Sequence, residues 1–398
     1  MGAELQMTFP TAGASPKHYS LQSSANTALR AATRFWFVVT VICQLAFASS
    51  VAIFYGVTAA RGNLHAWNKT LTHGYINGDP IGNVALAVHL ISAVSIILGG
   101  AIQLVPQVGE RAPSFHRWNG RLYMVTAFTI SIAGLYLMWV RGTVGGLAPH
   151  VGQSLNALLI MLCAVMALRY AVARDFKTHR QWALRLYLMV SASLFIRAGL
   201  LLAALGINQD TFFAVMSFAQ YLVPLAVLEV YLWVEDRPGT MRRFAMAAVL
   251  FVLTVALGAG VVAISASMWL PNIKRAFDNR KSIADTLSAT IATSGIDGAA
   301  QQYGQIKAAA PTTYNFDEDE LNTLGYELIR NKQWKEAIRI FQLNVEAYPQ
   351  SSNTYDSLGE AYMDDGDQSL AIANYRKSLQ LNPKNGNAVQ MLKKLDAR

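Results

Sequence analysis

The sequence predicts an all-α protein: a seven-helix membrane bundle, with a four-helix core from spans two to five, followed by a soluble domain of helical repeats. Three observations predict it. The 398 residues are 53% hydrophobic and 14% charged, with a mean hydropathy of +0.28, which is too apolar for an ordinary soluble domain. Apolar runs at 35–59, 83–105, 121–140, 150–172, 183–205, 211–234 and 244–269 each approach the ~20 residues that cross a bilayer. Lipid offers no partner to an unpaired backbone group, so each run is expected to be a helix. Finally, a repeat of period 34 matches Leu324 with Leu358, Gly325 with Gly359, Ala337 with Ala371, Phe341 with Tyr375 and Pro349 with Pro383.

Residues 1–34 are polar and expected to be disordered and cytoplasmic. The first apolar run is long enough to span and is read as a retained anchor. Orientation follows from Lys and Arg in the short loops. An inside N-terminus puts thirteen of them, from Lys17 to Arg243, on the inner side and only Arg61, Lys69 and Arg141 on the outer side. Seven crossings then place the C-terminus outside, with Lys274, Arg275, Arg280 and Lys281 against the trend. The expected location is a cell inner membrane, with the repeat domain periplasmic. Charge is unevenly divided: residues 1–316 carry a net +12 and residues 317–398 a net −3. The basic surplus is a topology signal, and no nucleic-acid partner is implied. Cys43 and Cys163 fall within apolar runs and form neither a disulfide framework nor a CxxC motif.

Residues 271–316 read as a helical linker, with amphipathic helices at 282–293 and 296–309 broken at Ser294-Gly295. The 34-residue period over 317–398 matches the tetratricopeptide pattern. Small residues let paired helices approach, an aromatic fills the space between them, and proline ends the second helix. Val389, Leu392 and Leu395 fit a terminal capping helix. The groove of such a domain is expected to take a protein or peptide partner. Residues Asn344–Asn387 also resemble the tetratricopeptide tails of some exported bacterial hydrolases.

The membrane region carries a duplicated motif, His116-Arg-Trp-Asn-Gly-Arg-Leu-Tyr-Met-Val125 and His179-Arg-Gln-Trp-Ala-Leu-Arg-Leu-Tyr-Leu-Met-Val190. Its histidines are 63 residues apart, and a second pair, His89 and His150, is 61 apart. Ionisable residues at membrane depth are costly and mark candidate sites. Two readings follow. In one, His89 with His150 and His116 with His179 clamp b-type haem, as in dihaem membrane cytochromes, whose ligand regions Phe115–Gly120 and Pro149–Gly152 locally resemble. Against it, Arg121 and Arg185 lie deeper than His116 and His179, and Asn156 matches the depth of His89 better than His150 does.

In the other reading, which needs fewer assumptions, the bundle is a non-redox sensor, binder or scaffold. Arg117, Arg121, Arg180 and Arg185 bind lipid phosphates or another anion, and Trp118 and Trp182 anchor at the interface. Arg197 lies in the outer half of the fifth span. Glu229 is at the wrong depth to neutralise it, so a bound anion or an uncharged hydrogen-bond cage is expected. Gln103 and Gln220 read as interhelical hydrogen-bond donors. No Walker loop, dinucleotide glycine fingerprint, HExxH or nucleophile elbow is present, and the sequence leaves open whether the protein is an enzyme.

Residues 83–205, carrying His89, His116-Arg117-Trp118-Asn119-Gly120-Arg121, His179-Arg180-Gln181-Trp182-Ala183-Leu184-Arg185 and Arg197, resemble the bacterial domain-of-unknown-function 2306 family. The resemblance implies a multi-pass membrane protein and supplies no reaction. His150 is not a position of that pattern.

Overall fold

The computed structural model describes residues 16–71, 73–76, 78–142, 146–203 and 209–396. They divide into two compact units, one from the described residues up to 54 and between 81 and 273, the other from those between 55 and 80 and from 274 to 396.

The first unit is built from α1 (Pro16–Ala60, up to residue 54), α2 (Pro80–Gln103), α3 (Pro106–Arg111), α4 (Pro113–Tyr136), α5 (Leu147–Val172), α6 (Phe176–Val190), α7 (Ala192–Ala203), α8 (Gln209–Glu235), α9 (Thr240–Ile264) and most of α10 (Leu270–Ala276). The first four helices each begin at a proline, whose fixed φ and missing N–H suit the first helical turn. The expected disorder of 1–34 is corrected over 16–34, where the chain is helical. Ala25, Leu29 and Ala32, spaced on one helix face, are buried there, and Leu29 and Ala32 join a core with Val234, Met246, Ala247 and Leu250.

Six helices among the described residues are long and apolar enough to cross a membrane: Leu21–Ala60, Pro80–Gln103, Pro113–Arg141, Leu147–Val172, Thr211–Glu235 and Thr240–Ala276. The chain is therefore a multi-span membrane protein. The fifth expected span, 183–205, is not one continuous helix. It starts seven residues early and divides at Ser191 into helices of 15 and 12 residues, α6 and α7; residues 204–205 lie outside those described. The break is held by polar side chains. Ser191 Oγ donates to Tyr187 O (2.6 Å), Gln44 Nε2 donates to Ser191 Oγ (2.6 Å), and Tyr187 Oη donates to Gln44 Oε1 (2.8 Å), all buried. In a membrane such a turn persists only where protein groups satisfy the loosened backbone.

Close approaches are made at glycine. A Cβ on Gly100 would meet the Tyr123 ring at 2.9 Å, and one on Gly260 would meet Ala198 O at 2.9 Å. These contacts bring α2 against α4 and α7 against α9, as small residues do in membrane bundles.

The second unit joins the segment between α1 and α2 to the C-terminal domain. That segment forms a 3₁₀ turn, Leu64–Lys69, whose Trp67 is buried and donates from Nε1 to Thr58 Oγ1 at 2.9 Å. Next come β1 (Lys281–Ser282), α11 (Ile283–Ala309), β2 (Tyr314–Asn315), α12 (Glu318–Arg330), α13 (Trp334–Ala347), α14 (Ser352–Asp365), α15 (Gln368–Leu381) and α16 (Gly386–Asp396). β1 and β2 pair in parallel for two residues. α11 kinks at Gly295, whose φ of 73° is left-handed, at the break expected from sequence. The stretch expected to be a linker shares one core with the repeats. Ile283, Leu287, Ala299 and Tyr303 pack with Leu321, Leu324, Ala337, Ile340 and Phe341.

The 34-residue period is visible in the packing. A Cβ on Gly325 would strike the Phe341 ring at 2.4 Å, and one on Gly359 would meet the Tyr375 ring at 3.1 Å. Asn344 Nδ2 donates to Glu318 O (3.1 Å); 34 residues on, Ser378 Oγ donates to Ser352 O (2.8 Å). Leu395 of α16 is buried against Ala371, Tyr375 and Ala388, with Leu392 beside it, while Val389 is exposed.

Candidate functional site in the membrane unit

The two copies of the His-Arg motif open α4 and α6 and meet at one end of the bundle, called basal here. Pro113 starts α4, and Asp175 caps α6 by accepting from Thr178 N at 3.1 Å. These starts present His116 and His179 close enough for the charge of one to bear on the other. Gln103, at the end of α2, pairs its Nε2 with His116 Nε2 at 3.1 Å. Gln103 Oε1 accepts from Asn119 Nδ2 at 2.8 Å, and Asn119 also donates to Gly99 O at 2.9 Å. Since the Gln103 amide nitrogen can only donate, His116 Nε2 accepts and the proton sits on Nδ1, which is buried without a hydrogen-bond partner. Gly120 makes room, because a Cβ there would lie 3.0 Å from Gln103 Nε2. His179 Nδ1 bonds Ala167 O of α5 at 2.8 Å.

The second histidine pair has separate surroundings. His89 Nδ1 bonds Ile130 O at 3.2 Å, with its ring edge near 3.3 Å from a Cβ built on Gly134. His150 Nδ1 bonds Gly146 O at 2.8 Å, and its ring meets Trp139 edge-on at 5.3 Å. Three of the four histidines thus turn Nδ1 to a backbone carbonyl, a bond that leaves Nε2 as the ligand atom in metal sites and equally satisfies a neutral histidine in a protein interior. His116 commits Nε2 to Gln103, so the basal pair does not offer two unoccupied Nε2 atoms to one iron. Among the described residues, no group of three or more His, Cys, Asp or Glu could hold a metal ion.

The arginines expected to act together occupy different settings. Arg185 grips Glu229 with two bonds, 2.6 and 2.9 Å, and lies over the Trp182 ring at 4.8 Å. Arg180 pairs with Glu235 at 3.2 Å. Arg117 donates to Ser114 Oγ at 3.1 Å on an exposed face, and Arg121 and Trp118 are exposed as well. Arg197 stands over the Phe47 ring at 4.4 Å and donates to Ser193 O at 2.7 Å, near enough to His89 to act on it electrostatically. The ring face and the carbonyl are two uncharged groups that can support a cation away from water.

Sequence reasoning missed a group that the structure assembles at the basal end. Arg30 and Arg34 of α1, Arg180 of α6 and Arg243 of α9 line one cavity of about 440 Å³ with Tyr231 and Glu235 of α8. The signal in the sequence is the basic residues at the inner ends of spans: Arg180 is already a candidate anion ligand there, whereas Arg30, Arg34 and Arg243 serve only as topology markers.

No curated protein and no solved structure matches the chain. Residues 86–233, the stretch from α2 to α8 that carries both His-Arg motifs and Arg197, match the family described as Predicted membrane protein (DUF2306).

Proposed function

We propose that the protein is a membrane-anchored scaffold: a seven-crossing bundle that holds a tetratricopeptide domain on the face of a cell inner membrane opposite its cytoplasmic N-terminus. The observation that carries this is the 34-residue recurrence of contacts, Gly325 on Phe341 and Gly359 on Tyr375, with the matched Asn344 and Ser378 bonds. Each pair of helices cannot bury its apolar face alone, and stacking of such pairs creates a long binding surface.

The seventh crossing is α6 with α7. It is supported by the company that residues 55–80 keep. Lys69 in that segment forms a buried ion pair with Glu320, and Ser282 Oγ and Ala284 N also donate to Glu320 (2.6 and 3.2 Å). A segment that follows the first crossing can fold with residues 274–398 only if an even number of crossings separates them, so the total is odd.

The face formed by α12, α14 and α16 suits a cationic, extended partner segment. Asp356, Glu360 and Asp364 recur every four residues on α14, and Tyr326 of α12 donates to Glu360 at 2.9 Å. Asn387 of α16 donates to Asp356 at 2.8 Å. Burial pushes all three carboxyls above their usual range, so a Lys- or Arg-bearing partner would recover the desolvation they carry.

Two measurements on the full-length protein test this. Thiol labelling of Ser23→Cys and Ser369→Cys in intact cells should modify only the second with a membrane-impermeant reagent; labelling of both or only the first sinks the topology. Reconstituted protein should bind a Lys/Arg-bearing extended peptide in preference to a Glu-bearing one. Asp356→Asn with Asp364→Asn should weaken that binding about tenfold, and equal affinity for both peptides sinks the partner assignment.

A further inference from the structure

The basal cavity collects four guanidiniums from three helices against a single carboxylate. Arg180 is the one that Glu235 neutralises, at 3.2 Å. Arg30 spends Nε on Asn26 O of its own helix at 3.3 Å. Arg34 has no hydrogen-bond or ion-pair partner among the described residues. Arg243 donates from Nη1 to Asn26 Oδ1 and from Nη2 to Glu235 O (3.5 Å), while its Nε is buried without a partner. A buried guanidinium N–H with nothing to bond is costly, and it marks a place where an acceptor belongs.

A cavity of about 440 Å³ falls within the size range of small-molecule sites, roughly 300–1,000 Å³. Arg30, Arg34 and Arg180 are exposed to water, which hydrates them but does not neutralise a surplus of three positive charges around one opening. The complement is a compact anion with several acceptor oxygens, and guanidiniums match phosphate in both charge and fork geometry.

We infer that Arg30, Arg34, Arg180 and Arg243 form a binding site for a phosphate group at the basal end of the bundle. The phosphate is carried either by an anionic phospholipid entering from the adjacent leaflet or by a soluble phosphate ester. Basic pockets between membrane helices take lipid headgroups by this chemistry. The site lies within the membrane unit and does not depend on what the repeat domain binds.

The test uses full-length protein freed of lipid in detergent, followed by native mass spectrometry with phosphatidylglycerol against phosphatidylcholine, and calorimetry with inorganic phosphate. Wild type should retain phosphatidylglycerol in preference. Arg34→Gln with Arg243→Gln should lose that preference by about tenfold per arginine, and Arg117→Gln with Arg121→Gln, at exposed positions outside the cavity, should keep it. Phosphate binding lost in Arg34→Gln, without phosphatidylglycerol retention, would assign the site to a soluble ester. Should the double variant fail to fold, Arg34→Gln alone gives the reading, since that exposed side chain makes no hydrogen bond or ion pair among the described residues. The site is overturned if neither anion binds. It is overturned equally if Arg117→Gln with Arg121→Gln weakens binding as much as the cavity variants, because the effect would then belong to a general basic surface.

Discussion

In the unit containing residues 274–398, large apolar side chains turn inward: Ile283, Leu287, Leu321, Leu324, Ile340 and Phe341 are at most 2% exposed. In the membrane unit the pattern is turned over. Ile42, Val84, Ile91, Leu122 and Val165 stand on the outside, while Thr40, Gln44, Ser92, Ser131, Ser191 and Gln220 are buried. Water drives the first arrangement, since apolar area removed from it is the main source of stability. Lipid gives no such drive between helices, so the membrane unit relies on close backbone approach at Gly100 and Gly260 and on hydrogen bonds such as Gln44–Tyr187–Ser191. The same substitution should therefore cost different amounts in the two units.

The largest effect is expected at Glu320, 2% exposed, which accepts from Lys69, Ser282, Ala284 N and Asn315. Glu320→Ala takes the close partner from the Lys69 ammonium, leaving it Asp319 at 3.8 Å, and should cost about 3 kcal/mol. Hydrogen exchange of the 318–330 amides in the full-length protein should then accelerate by about two orders of magnitude or more; an unchanged rate would show that the contact contributes little.

Next in size is Gly325→Ala. Its new methyl would collide with the Phe341 ring, and about 2–3 kcal/mol of overpacking is expected. Gly359→Ala, with its nearest ring atoms at 3.1 Å, should cost about 1 kcal/mol. Proteolysis of the two variants in parallel checks the order; equal susceptibility would mean that the two repeats are not packed as described.

A smaller cost is expected in the membrane unit. Gln44→Ala removes two buried side-chain bonds, yet membrane hydrogen bonds average only about 0.6 kcal/mol, so a loss of about 1 kcal/mol should appear on unfolding in mixed micelles. A loss of 3 kcal/mol or more would break the comparison, by showing the break at Ser191 to be the keystone of the bundle.

The smallest effect is one of pH. Burial raises the folded-state carboxyls of Asp356, Glu360 and Asp364 above their unfolded values, so the folded repeat binds protons more tightly. Its stability should rise as pH falls from 7 toward the usual carboxylate range of about 4. Asp278 and Asp367, whose carboxyls are lowered by hydrogen bonds to Arg280 and to Leu370 N respectively, lose stability only below that range. Exchange in α14 should slow on mild acidification, and Asp356→Asn should flatten the trend.

Much of this architecture is legible in the sequence, because membrane length, repeat period and glycine–aromatic pairing are local signals. The kink at Gly295 and the packing of Gly99-Gly100 follow from residue type alone. The break at Ser191 does not, because neither glycine nor proline marks it; its partner Gln44 lies 147 residues away. The helix over 16–34 was hidden because its narrow stripe of Ala25, Leu29 and Ala32 sits among polar residues. At the candidate site the duplicated motif is the part that is legible, since both copies open helices of the membrane unit. The pairing of Arg185 with Glu229 and the gathering of Arg30, Arg34 and Arg243 are tertiary facts that no local pattern carries.

Lys69 is synthesised 251 residues before the Glu320 that receives it. At roughly 5–20 residues per second, the ribosome takes roughly 10–50 s to deliver the second half of that contact. For that interval Trp67 already has Thr58 and Tyr55, but Lys69 lacks its carboxylate until the chain in between has been made. Closure of the segment is thus a late event that waits for α12 to be made. A polypeptide stopped anywhere short of α12 leaves Lys69 without Glu320, and cleavage near residues 61–71 becomes a measure of how many chains were elongated past that helix.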